Sequence, residues 1–171
     1  MTASPTELPT IHSVPAGSLL GQVREQQKDL AAGKTIDIPI AGYKNPELVA
    51  RYRFLDLEEA KEIGERIRKQ HDSDTERAEA MMLIPMIEAC EGLFAREGDK
   101  LEPVELPDGG GPCRYDGRLE TFFGGEPSGS AKSAVLAAFK GNGHAAINHG
   151  RLLNEWFGDT SKTIEQLLGE A

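Results

Sequence analysis

The chain has 171 residues, 39% hydrophobic and 27% charged, enough for one domain with a real core and too few for two ordinary ones. Its 28 acidic against 19 basic residues leave a net charge of −9, and a surface of that sign repels phosphate backbones at long range, which counts against nucleic acid as a partner. No apolar run reaches the roughly eighteen residues of a membrane span, and Met1-Thr-Ala-Ser-Pro5 lacks the basic start and apolar stretch of a signal peptide, so the expected setting is cytoplasmic, with no membrane partner.

Residues 1–16 set Pro5, Pro9 and Pro15 among serines and threonines, which predicts a disordered N-terminal arm and leaves 17–171 as a single helical domain. Ser18 is placed to cap a helix carrying Leu19, Leu20, Val23, Leu30 and Ala31 on one side, and Gly33 supplies its stop. Thr35 to Ile40 alternates, with Ile36, Ile38 and Ile40 on one face, while Pro39 lacks a ladder donor and confines the strand to a sheet edge. After a turn through Gly42 to Pro46, Leu48, Ala50, Tyr52 and Phe54 alternate with Arg51 and Arg53, which predicts a β-hairpin at about 34–54. Asp56 to Glu59 is a capping-box pattern, followed by Ala60, Ile63 and Ile67 at helical spacing to about Lys69.

Ser73 to Glu76 repeats that pattern and opens a longer helix through Leu83, Ile84, Ile87, Cys90 and Phe94. Pro85 falls inside it, predicting a kink or a break near Met81 and Met82. Leu93 to Val104, around Glu97-Gly98-Asp99, suits a second short hairpin, and Pro103 to Pro112 a flexible loop. Asp116 then caps a two-turn helix with Leu119, Phe122 and Phe123, ended by Gly124-Gly125. Ser128 to Phe157 reads as two antiparallel helices joined by Gly141-Asn142-Gly143, with Trp156, Leu152 and Phe139 expected where their apolar stripes meet. Gly158 is expected to stop the second helix and Thr160 or Ser161 to cap a last short one through Ile164, Leu167 and Leu168. The fold class is α+β and predominantly α-helical, a small antiparallel β-hairpin packed with a bundle of short helices.

No catalytic constellation emerges. Gly125 to Ser133 holds the glycines, Lys132 and Ser133 of a phosphate loop in the wrong order, since Ser130-Ala131 interrupt the contiguous Gly-Lys-Ser that lets backbone N–H groups and lysine converge, so it reads as a loop and helix cap. His144 and His149 with Cys90 and Cys113 are metal-ligand types without the close paired spacing of a structural site, and the two histidines diverge on a helix. A surface His144, a packed His149 and two free thiols are expected, with no catalytic residue, metal or cofactor assigned. Two features suit partner binding instead. Arg51 and Arg53, on the outer face of their strand, suit an acidic partner, although cross-strand pairing is the more ordinary fate. Met81, Met82 and Met86 cluster around Pro85, and methionines adapt to varied apolar partners, although core filling is again more ordinary.

From about Lys34 to Ala171 the layout resembles the tail assembly chaperones of long-tailed, siphovirus-type bacteriophages of actinobacteria. The resemblance lies in the strand and turn Ile36 to Tyr43, the strand Leu48 to Phe54 and the capped helices from Asp56. It continues through the Arg114-Tyr-Asp-Gly-Arg-Leu119 turn, the Ala134 to Phe139 helix, and Leu152-Leu-Asn-Glu-Trp156 followed by a short helix ending Leu168-Gly-Glu170. It is a similarity of organisation, carried by no diagnostic motif. It implies a non-enzymatic protein in the cytoplasm of the infected host that binds the tape-measure protein and recruits tail-tube subunits during tail morphogenesis. It further implies a longer frameshifted form of itself, and Gly169-Glu170 can be encoded by a slippery run of G followed by A, the alternative being that Gly169 simply ends a helix; a homo-oligomer is also open. The alternative is a structural virion protein, a tail or head–tail connector subunit retained in the particle.

Overall fold

The structure, a computed structural model, describes residues 18–169 except 32, 106–108, 110 and 124–129. The expected arm at 1–16, the Gly124-Gly125 stop, the Ser128 start and Glu170 lie outside the described residues. Along the rest run α1 (Leu19–Ala31), β1 (Thr35–Pro39), β2 (Glu47–Arg53), α2 (Leu57–Gln70), α3 (Asp74–Ala89), β3 (Cys90–Glu97), β4 (Lys100–Pro103), α4 (Gly117–Phe122), α5 (Ala131–Ala138) and α6 (Gly143–Gly169). The class is α+β, as the sequence pattern indicates, but the strands form one antiparallel sheet in the order β1-β2-β3-β4 in place of a lone hairpin. The two expected hairpins are its halves, with α2 and α3 inserted between them.

Register explains the sheet's two faces. Ile36 pairs with Tyr52, Ile38 with Ala50 and Ala50 with Leu93, so these apolar residues share the face that meets the helices. Asp37 pairs with Arg51 and Glu47 with Arg96 on the other face. Pro39 sits on the edge strand β1, where a missing donor costs no ladder bond.

The helix starts follow their side chains. Ser18 Oγ accepts from Gly21 N–H at 3.0 Å. Asp56 and Glu59 complete a reciprocal capping box on α2, and Ser73 Oγ accepts from Glu76 N–H on α3. Between α5 and α6 the chain turns through left-handed Lys140 and Gly141, and Asn142 Oδ1 takes the Ala145 N–H at 3.1 Å.

Three expectations are corrected. Pro85 does not break its helix, which ends instead at Ala89, and Cys90 and Phe94 belong to β3. A proline at 85 leaves the Met81 carbonyl without its i+4 donor, and Asn154 of α6 supplies one, its Nδ2 donating to Met81 O at 3.1 Å. Gly158 does not stop α6, which runs unbroken for 27 residues. The ~1 kcal/mol that a mid-helix glycine costs is outweighed by burial of Thr160 and Ile164 on the stripe begun by Ala146, His149, Gly150 and Leu153. The main partner of α6 is α3, not α5. Trp156 is half-buried and meets Phe54 edge-on at 5.9 Å, Leu152 is 47% exposed, and Phe139 packs on His149, so the three do not share one interface.

Candidate functional site

The helix α3 presents two apolar faces. On one, Met82 and Met86 meet α6 where Gly150 lies so close that a Cβ there would stand 2.4 Å from the Met82 carbonyl oxygen. Asn154 closes the same contact, bonding Met81 O and lying 3.6 Å from the Met82 sulfur. The other face carries Ala80, Leu83, Ile84 and Ile87, which floor an open groove of about 300 Å³. Its rim is His71 from the end of α2, Glu76 and Glu79 from α3, and Lys132 from α5. Lys132 Nζ pairs with Glu79 at 2.7 Å, and His71 Nδ1 lies 3.7 Å from Glu76. This arrangement can accept apolar side chains along a helical ridge and screen them with charge.

A second, more polar cleft of about 260 Å³ lies where Arg53 and α2 face α3. Glu59 Oε2 accepts both from Asp56 N–H and from Arg53, each at 3.1 Å, and Arg66 pairs with Glu88 at 2.6 Å. Its charges are consumed in capping and in surface ion pairs.

A buried polar network links Tyr115, Tyr52 and His149. Tyr52 OH lies 2.7 Å from both Tyr115 OH and His149 Nε2. The Pro39 backbone, which has only a carbonyl to offer, favours the ring as a donor toward it, and the tautomer with Nδ1–H would leave Nε2 to accept from Tyr52. Burial lowers the His149 pKa to about 4, the Pro39 bond opposing it, and burial holds both tyrosines well above their usual range. Burial likewise pushes the neighbouring Cys90 thiol up to about 12. Tyr52, Tyr115 and His149 are at most 4% exposed, so this is a satisfied core network tying β2 and the Cys113–Tyr115 segment to α6.

No family model, curated protein or solved structure matches the chain.

The sequence-assigned residues fall in two places. Arg51 and Arg53 alternate with Tyr52 and so project from the opposite face of the sheet to the one His149 packs on. Arg51 makes a two-pronged bond to Asp37 at 2.8 and 3.0 Å and lies 4.4 Å over the Phe94 ring; the Asp37 bond holds its pKa above the usual arginine value. Arg53 is bound to Glu59. On α3, Met86 is fully buried, Met82 half-buried and Met81 43% exposed. His144 is exposed and His149 buried, and Cys90 and Cys113 are buried free thiols. Among the described residues no three His, Cys, Asp or Glu side chains gather at metal-binding distance, and no helix is long and apolar enough to cross a membrane. The groove was missed as a site, although its stripe is legible at 80, 83, 84 and 87. What sequence does not reveal is which apolar stripe stays uncovered.

Proposed function

We propose that this chain is a non-enzymatic phage tail assembly chaperone that holds helical segments of a tape-measure protein and brings tail-tube subunits to them. The observation that carries the reading is the groove on α3, an apolar helical stripe with Ile84 and Ile87 left half-buried, beside a face that Gly150 lets α6 approach closely. It is supported by the likeness of organisation between residues 34–171 and that family, from the isoleucine-rich strand to the terminal helix. A long, apolar helical protein aggregates unless its stripes are covered, and a groove shaped for one stripe covers them reversibly. The place of action is the cytoplasm of the infected cell, and a longer frameshifted form would raise the local concentration of tube subunits through its extra segment.

Co-expression with a tape-measure protein, which on this reading is the product of a long neighbouring open reading frame, tests this. The long protein should be soluble with this chain and aggregate without it, and the chain should be absent from purified virions. Equal solubility alone, or a fixed copy number in the particle, overturns the reading, the latter in favour of a retained structural subunit.

A further inference from the structure

The geometry points to one class of occupant for the groove between α2, α3 and α5: an amphipathic helix whose apolar stripe is flanked by lysine or arginine. This rests on the assembly role proposed above and narrows it to one kind of segment. Ala80, Leu83, Ile84 and Ile87 stand at i, i+3, i+4 and i+7 along α3, the spacing at which one helix offers a ridge to another. Ile84 and Ile87 are only half-buried, so the ridge is packed on one flank and wet on the other. An apolar cavity of about 150 Å³ holds a benzene-sized group. A groove of about 300 Å³ therefore takes two aliphatic side chains, which an incoming helix supplies from positions one turn apart.

The rim sets the sign of the flanking charge. Glu79 and Lys132 form a neutral pair at 2.7 Å. Glu76, its side chain 62% exposed, stands beyond that pair as the rim's second carboxylate against a single ammonium, within a chain of formal net charge −9. A cation next to the incoming stripe is attracted, and a carboxylate in that place is repelled. Because the rim is exposed, the preference weakens as salt is raised.

The full-length chain can be panned against a displayed library of helical peptides with a fixed apolar stripe and flanking positions varied among Lys, Glu and Gln. Enriched peptides should carry Lys, and should bind about tenfold more weakly to Ile84→Asp and to the double variant Glu76→Lys, Glu79→Lys. The double variant changes only rim side chains and keeps the core, so it remains informative if Ile84→Asp does not fold, which a melting curve decides. No enrichment, no preference for Lys, or an affinity unchanged by the double variant overturns the proposal. A soluble complex with the long neighbouring protein that is indifferent to these variants removes this site while leaving the assembly role. Library binding as expected without any such complex does the reverse.

Discussion

The two faces of α3 are built from similar residues and do opposite things. Toward α6, Met82 and Met86 are locked by a glycine that admits backbone contact and by an asparagine that answers the proline's stranded carbonyl. Toward α2 and α5, Leu83 is covered while Ile84 and Ile87 are left half in water beside a charged rim. Hydrophobicity alone does not separate a sealed face from an open one. The difference lies in whether a neighbour can approach closely enough to seal it, which here depends on one missing Cβ and one amide.

That contrast can be broken at its tightest point. Gly150→Ala drives a methyl into the Met82 carbonyl and toward the Met86 sulfur, and backbone on both sides leaves little room to yield. The expected loss is ~3 kcal/mol or more, read as a shifted denaturation midpoint. Acid should act next, on the buried network between the sheet and α6. His149 has a folded pKa of about 4 against 6.5 when unfolded, so the unfolded state binds the extra proton and stability drops as the pH is lowered. The contribution is intact above about pH 6.5, is lost progressively toward pH 4, and amounts to ~3 kcal/mol. Replacing His149 with a neutral residue should flatten that part of the stability–pH curve. Asn154→Ala, which strands the Met81 carbonyl near the surface, should cost ~1 kcal/mol. Glu79→Gln on the open side should change stability by less than ~0.5 kcal/mol, because it removes only an exposed ion pair.

Local signals in the sequence were reliable where the physics is local. The caps at Ser18, Asp56 and Ser73, the turn at Gly141-Asn142 and the alternation of β1 and β2 each need only a few adjacent residues, and each forms. The misplacements at Pro85 and Gly158 share a different cause. Both residues are unfavourable inside a helix, and both are tolerated because residues distant in sequence compensate: Asn154 for the proline, the buried Thr160 and Ile164 stripe for the glycine. The methionines drew attention to α3, but on a helix with apolar residues all round, composition does not say which side stays open. The pairing of Tyr52 with His149, 97 residues apart, left no local trace at all.

Photocrosslinking in a complex with a tape-measure protein, the partner proposed above, tests the two-faced account of α3 most directly. A photoreactive phenylalanine at position 84 samples the groove, and the same group at position 152 samples an exposed leucine site on α6. Crosslinks to a helical segment of the partner from position 84, with none from position 152, are the expected result. Crosslinks from position 152 alone, or no complex to irradiate, would contradict it.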